Sequence, residues 1–154
     1  MTTSTNNGRS QPSPAVLPEW PSEAIAILAT ADGAPHAIPV SAPVRAGDRR
    51  ILITLGRMRG SLGRLRGHPE AALVLLAQGN LAFTARGRAR VVAEHLNANP
   101  GFAGVAIEVE HIDDHRAHAF EVYRGIVRRW LNADAERDLG ACIQELRELA
   151  DVLR

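Results

Sequence analysis

A cluster of arginines surrounds a short Gly-Ser step in the first half of the chain. Four of them fall within ten residues, namely Arg57, Arg59, Arg64 and Arg66. Gly60-Ser61 is typical of a helix start, where unpaired backbone N–H groups and the helix dipole favour a phosphate. A planar guanidinium binds a phosphate through two parallel hydrogen bonds. The pattern predicts a phosphate site here, and the alternative is a solvent-exposed arginine face.

The chain contains no lysine, and all 18 of its basic residues are arginine. This excludes a P-loop, because that motif needs a lysine on the bound phosphates. It also excludes chemistry through a lysine Schiff base. No Gly-x-Ser-x-Gly motif of a hydrolase is present either. Phosphate binding by arginine is therefore the chemistry that the basic residues favour.

Three histidines, His111, His115 and His118, lie four and three residues apart. In a helix they would share one face and could bind zinc or haem. His111, however, falls in an alternating pattern that predicts a strand, and no pair of cysteines supports a metal. We therefore predict no metal site, and haem binding remains a lower-ranked alternative.

Arg86, Arg88 and Arg90 alternate along one predicted strand and raise the question of nucleic-acid binding. The 17 acidic residues leave a net charge of only +1, so the chain lacks the strong positive field of such proteins. We expect a half-exposed strand and no nucleic-acid partner.

Short apolar or alternating runs separated by turn residues predict a mainly β fold. The runs are Ala24–Thr30, Pro35–Val40, Ile51–Thr54, Glu70–Leu76, Leu81–Val92, Val105–Ile112 and a last strand, Phe120–Trp130, in which Gly125 is a candidate bulge. After them, Asn132 and Asp134 supply helix-capping chemistry. Apolar residues at helical spacing then predict an amphipathic helix over about residues 134–153.

The length of 154 residues suits one domain. Residues 1–17 are polar and predicted to be a disordered tail, which leaves residues 18–154 as the domain. No apolar run reaches the roughly 18 residues that a membrane span needs. A single cysteine, Cys142, excludes an intrachain disulfide, so a reducing cytoplasm is the expected location.

The order of these motifs resembles the pyridoxamine 5'-phosphate oxidase-like superfamily, whose members fold as flavin-binding split barrels. The resemblance covers roughly Trp20 to Trp130. It rests on an opening strand that ends in Ala29-Thr30, then Asp32-Gly33, Pro35-His36, Pro39-Val40, a strand ending at Thr54, a basic helix closed by Pro69, and a strand that carries Gly87. It implies a six-stranded antiparallel split β-barrel with a short basic helix after strand 3 and a C-terminal helix.

The resemblance also implies a site. The basic helix would bind the flavin phosphate through Arg57, Arg59, Ser61 and Arg64, close to Thr54, and the flavin ring would lie along Pro39, Val40 and Ser41. Trp130 resembles an aromatic residue that many members place near the cofactor of the opposite subunit. Relatives commonly carry Ser-Arg-Lys at the helix start. Here the lysine position is Ser61, and Arg59 and Gly60 precede it.

The implied function is an FMN-dependent oxidoreductase that acts on a small organic substrate, as a homodimer with the cofactor at the subunit interface. The cofactor carries the redox chemistry, so no catalytic side chain is predicted. Deazaflavin is an alternative cofactor, since its longer charged tail suits extra arginines. The missing lysine favours another alternative, a non-catalytic ligand-binding dimer.

Overall fold

The computed structural model describes residues 13–153 and consists of one curled antiparallel sheet and two helices. The elements are β1 (Ile25–Ala31), β2 (Pro35–Ser41), β3 (Val44–Arg45), β4 (Arg50–Gly56), α1 (Gly60–Gly67), β5 (Glu70–Ala77), β6 (Leu81–Ala93), β7 (Phe102–Asp114) and α2 (Ala133–Leu153). The strand order is β2-β1-β5-β6-β7-β4-β3, and β2 also approaches β4, so the sheet curls on itself. The predicted mainly β fold is confirmed, with seven strands instead of six. The basic helix follows the fourth strand, because the two-residue β3 was not predicted.

The predicted last strand, Phe120–Trp130, is wrong, since this segment has no regular secondary structure. Both edges of β7 are already paired, with β6 on one side and β4 on the other. The segment instead runs past the β5–β6 turn, where the N–H of Asn80 donates to the carbonyl of Val122 at 3.1 Å. Gly125 lies so close to β5 that a Cβ there would be 2.3 Å from the carbonyl oxygen of Leu76. Gly125 therefore permits a close backbone approach and is not a bulge in a ladder.

Alternation along β1 separates the inside of the curled sheet from the outside. Ala26, Leu28 and Thr30 are buried, and Leu28 lies beside Leu73 of β5 in the main core. Ile25, Ile27 and Ala29 alternate with them and are partly exposed. Because side chains on a strand alternate between faces, Thr30 points inward at the far end of β1.

The C-terminal helix α2 covers a second, smaller core on the β4 side of the sheet. Its buried residues Cys142, Leu146 and Ala150 pack in one cluster with Leu52 of β4 and Ala106 of β7. Burial raises the pKa of the Cys142 thiol, which is 2% exposed. The predicted amphipathic helix over about residues 134–153 is confirmed.

The described chain begins within the predicted tail, residues 1–17, of which residues 1–12 lie outside the described residues. Leu17 is 1% exposed, and its N–H donates to the carbonyl of Asp48. Within residues 13–153, neither helix is long and apolar enough to cross a membrane.

Candidate functional site: the N-terminus of the basic helix

Arg64 is held across the N-terminus of α1 by two buried hydroxyl groups. Its Nε donates to Thr30 Oγ1 and its Nη2 donates to Ser61 Oγ, both at 3.2 Å. Thr30 and Ser61 are 5% and 3% exposed, and they are the two buried polar residues of the described chain. Since a buried polar side chain needs a hydrogen-bond partner, the hydroxyls fix the guanidinium in this position. The third nitrogen, Nη1, has no protein acceptor among residues 13–153.

The start of α1 offers free donors and carries no negative side chain. Arg59 is the N-cap residue, and no side chain caps the helix. The first turn contains no acidic residue, although acidic residues are favoured there. The first backbone N–H groups of a helix have no partner within the helix. This end of α1 is therefore suited to an anion supplied from outside the chain.

The arginines at this site differ from most of the others in their ion pairing. Eight arginines pair with a carboxylate, namely Arg45, Arg50, Arg66, Arg86, Arg88, Arg90, Arg116 and Arg137. Across the described residues, no carboxylate oxygen lies within 4.0 Å of the guanidinium of Arg57, Arg59 or Arg64. Their positive charge is thus less compensated than that of the paired arginines.

Asp32 and His36 lie beside this cluster, at the turn between β1 and β2. His36 Nε2 is 3.2 Å from Asp32 Oδ1, and His36 lies opposite Thr30 in the β1–β2 ladder. Burial raises the pKa of Asp32, but the hydrogen bond to His36, the Ala34 N–H and the nearby Arg64 charge together lower it. Asp32 is therefore ionised at neutral pH, and the His36 ring lies against its carboxylate.

Thr30 is a residue of the site that the sequence pattern did not predict. A signal for it exists, because Thr30 is a polar residue at an inward position of an otherwise apolar strand. The sequence does not reveal where α1 packs, and that packing brings Arg64 next to Thr30. His36, which the sequence offers only as part of the Pro35-His36 motif, also lies next to the cluster.

The remaining residues predicted for the phosphate site are Arg57, Arg59 and Thr54. Arg57 and Arg59 are exposed in the β4–α1 turn, and the backbone N–H of Arg57 donates to the carbonyl of Gly101. Thr54 is half-buried on β4, opposite Gly104 of β7. Of the predicted set, the structure therefore joins Ser61 and Arg64 directly, and Arg57 and Arg59 flank them.

Pro39, Val40 and Ser41 lie further along β2, opposite Ile27, Ala26 and Ile25 respectively. Val40 is 4% exposed and belongs to the core, whereas Pro39 and Ser41 are exposed on the outer face. Only these two of the three side chains could therefore contact a ring that lies against the outside of β2.

Trp130 lies at the opposite end of β1 from Arg64 of the same chain. It lines a cavity together with Ile25, whereas Arg64 binds Thr30. These two β1 residues are five positions apart, roughly 17 Å at about 3.3 Å per residue. Within one subunit, Trp130 and the arginine cluster therefore belong to separate regions.

The three histidines do not share a helix face. His111 lies on β7, and His115 follows the strand and is 2.7 Å from Thr84 Oγ1. Within the described chain, no group of three His, Cys, Asp or Glu side chains is arranged to hold a metal ion.

The alternating arginines of β6 are paired, Arg88 with Glu70 and Arg90 with Glu108.

Comparison with known proteins identifies the family of the chain. A family model described as pyridoxamine 5'-phosphate oxidase matches residues 12–130. The chain belongs to the pyridoxamine 5'-phosphate oxidase family. No curated protein gave a significant match. The match to the family covers both the arginine cluster and Trp130.

Solved structures with this family's fold share little sequence with the chain. HupZ from Group A Streptococcus is 15% identical with a TM-score of 0.52, covering 66% of this chain and 90% of its own. A provisionally assigned pyridoxamine 5'-phosphate oxidase from Listeria innocua is 14% identical with a TM-score of 0.50, covering 60% and 89%. A FAD-binding protein from Mesorhizobium loti is 13% identical with a TM-score of 0.49, covering 59% and 84%. At these identities the likeness to the first two structures concerns the fold alone.

Proposed function

We propose that the chain is a flavin-dependent oxidoreductase that binds the phosphate of FMN at the N-terminus of α1. The observation that carries the proposal is the guanidinium of Arg64, which Thr30 and Ser61 hold across an uncapped helix start. Membership of the pyridoxamine 5'-phosphate oxidase family supports a flavin as the phosphate-bearing ligand.

The residues present fit a phosphate even though the arginine and lysine expected from the family resemblance are absent from positions 60 and 61. A Cβ on Gly60 would lie 2.9 Å from Arg64 Nη1, so the guanidinium fills the space of a side chain at position 60. Its Nη2 reaches Ser61, the other expected cation position. Arg64 thus supplies from the next turn the positive charge that relatives carry at the helix start.

A bound flavin would supply the redox chemistry, and the chain's own residues would bind and orient it. Arg64 would donate to the phosphate through Nη1, and the exposed Arg57 and Arg59 would add positive charge at its edge. Pro39 and Ser41, exposed on β2, are the predicted wall for the ring. Trp130 would have to come from the opposite subunit, because its own subunit holds it at the other end of β1.

The outer face of β2, β1 and β5 supports the proposed homodimer. Across the register of the three strands, this face presents Pro39 beside Ile27 and Val74, and Ala37 beside Ala29 and Ala72. Its charged residue, Glu70, lies at the start of β5. The adjoining segment exposes further apolar side chains, namely Phe120, Tyr123, Ile126, Val127 and Leu131. Large exposed apolar patches mark interaction surfaces, and we assign this one to a second copy of the chain.

The cofactor proposal is tested by absorbance spectroscopy of the purified protein during titration with FMN and, separately, with deazaflavin. We expect saturable FMN binding that weakens at least tenfold in Arg64→Ala. Arg66→Ala is the matched control, because Arg66 lies on the same helix but pairs with Glu94. If deazaflavin binds more tightly than FMN, the proposed cofactor is deazaflavin instead of FMN. A protein that binds neither would be a non-catalytic binding dimer, and the oxidoreductase proposal would be wrong.

The homodimer is tested by sedimentation velocity on Val74→Asp, which puts a charge at the centre of the apolar face. We expect the native protein to sediment as a dimer and the variant as a monomer. Val152→Asp is the control, because Val152 is 80% exposed on α2. A native protein that sediments as a monomer would contradict the interface.

A further inference from the structure

His36 lies on the same side of the sheet as the arginine cluster of α1. On β2 it shares the inward face with Ile38, which packs against the main core. His36 lies directly opposite Thr30 in the β1–β2 ladder, and residues opposite each other in such a ladder have Cβ atoms about 5 Å apart. Thr30 Oγ1 accepts the hydrogen bond from Arg64 Nε. His36 and Arg64 are therefore both immediate neighbours of Thr30.

The His36 ring is held by a carboxylate and keeps one nitrogen available. Its Nε2 is 3.2 Å from Asp32 Oδ1, in the turn that joins β1 to β2. Within residues 13–153, the other ring nitrogen, Nδ1, has no hydrogen-bond partner. The His36 side chain is 38% exposed, so a ligand from the solvent can reach it. The charged groups beside the ring are Asp32 on the turn and Arg64 on α1, and the Arg64 charge also stabilises the Asp32 carboxylate.

A phosphate on Arg64 would bring a second anion to this imidazole. Histidine is the side chain that ordinarily changes its charge between about pH 5 and 8. An anion within about 4–6 Å favours its positively charged form, and here Asp32 already supplies one such anion. With both nitrogens protonated, the ring donates one N–H to Asp32 and the other to a phosphate oxygen. A neutral ring would leave the Asp32 charge uncompensated beside the phosphate.

We infer that His36, oriented by Asp32, is a second ligand of the phosphate at α1 and takes up a proton when the phosphate binds. The inference rests on the proposed phosphate site and adds one residue and one proton to it. At a pH where the ring is neutral in the free protein, the proton passes from the solvent to the imidazole. No bond of the phosphate is made or broken.

The direction of proton transfer distinguishes His36 from the phosphate itself. The second ionisation of a phosphate monoester has a pKa of about 6. Binding to arginine favours the dianion, so a phosphate that only arginines hold releases protons to the solvent or leaves them unchanged. Net proton uptake therefore requires a group of the protein that gains a proton, and His36 is placed to do so.

Proton uptake is measured by calorimetric titration of the native protein with FMN at about pH 7.5, in buffers of different ionisation enthalpy. We expect a net uptake of about half a proton for each FMN bound. His36→Gln should lose the uptake and bind FMN at least about threefold more weakly. His68→Gln is the matched control, because His68 lies at the C-terminal end of α1 and should change neither quantity. If His36→Gln does not fold, the proton count of the native protein decides.

Inorganic sulfate separates a failure of this inference from a failure of flavin binding, because it is a dianion of similar shape without the flavin. At about pH 7.5 and constant ionic strength, sulfate should move the His36 imidazole signal in ¹H–¹³C spectra saturably towards its protonated position. Chloride should not move this signal, which is identified by its absence from His36→Gln. FMN binding without proton uptake, equal uptake in the native protein and His36→Gln, or a His36 signal that sulfate does not move would overturn the inference. A protein that shows the sulfate response and binds no flavin would support the role of His36 and contradict the flavin proposal.

Discussion

Gly60→Ala tests whether the position of Arg64 decides phosphate binding. The added Cβ would lie 2.9 Å from Arg64 Nη1, closer than an ordinary contact, so the guanidinium must move. The three atoms nearest to that Cβ all belong to the Arg64 guanidinium, which is the end of a flexible side chain. Gly63→Ala is the matched control, because it lies on the same helix and its Cβ would meet nothing within 4 Å.

The two substitutions should have similar effects on stability and different effects on binding. Alanine is favoured over glycine within a helix by about 0.5–1 kcal/mol, so each variant should be at least as stable as the native protein. Displacement of Arg64 should cost one charge-assisted hydrogen bond, about 1.5–3 kcal/mol. At 1.4 kcal/mol for each factor of ten, FMN affinity should fall about 10- to 150-fold in Gly60→Ala alone.

The assay combines urea unfolding of both variants with FMN titration followed by flavin fluorescence. Stability and affinity should separate, since Gly60→Ala should retain its unfolding midpoint while its FMN affinity falls. If Gly60→Ala and Gly63→Ala bind FMN equally, Arg64 does not donate to the phosphate from this position. The reasoning on the helix start would then be wrong.

Three further predictions concern the framework around the site. Gly87→Ala should destabilise the fold by at least about 2 kcal/mol in urea unfolding. The added Cβ would lie 1.9 Å from the backbone oxygen of Glu108 and would force β6 and β7 apart. Native-like stability of this variant would contradict the register of β6 and β7. Glu145→Gln should lower stability by about 1 kcal/mol, because this carboxylate accepts two backbone N–H groups of the loop before β7, and an amide oxygen retains one. The hydrogen bond from Arg86 holds the pKa of Asp113 below its ordinary value of 3.8. The stability that Asp113 contributes is thus present above that value and is lost as pH falls through its lower folded pKa. Asp113→Asn should therefore be less stable than the native protein at about pH 6, and the difference should shrink as pH falls below 3.8. A pH-independent difference would exclude this linkage.

The sequence predicts most of the fold because local signals agree with the packing. A short apolar run identifies β1, alternation identifies β6, and the capping residues and apolar stripe identify α2. The error at Phe120–Trp130 has a topological cause, because a strand-like pattern forms a strand only where a sheet edge is free. Both neighbours of β7 are already in place, which the sequence of this segment does not reveal.

The candidate site is predictable in its charges but not in its geometry. Arg57, Arg59 and Arg64 are visible as a basic cluster in the sequence, and so is the absence of a lysine. The role of Thr30 depends on the docking of α1 against the end of β1, which brings together residues 34 positions apart.

The most direct test of the phosphate site compares FMN with riboflavin, which has the same ring system and no phosphate. Both dissociation constants would be measured on the native protein in the same buffer, at low and high salt. We predict that FMN binds at least 100-fold more tightly than riboflavin and that added salt reduces this ratio, because the difference is the interaction of one phosphate with arginine. Equal affinities for FMN and riboflavin would contradict a phosphate site at α1.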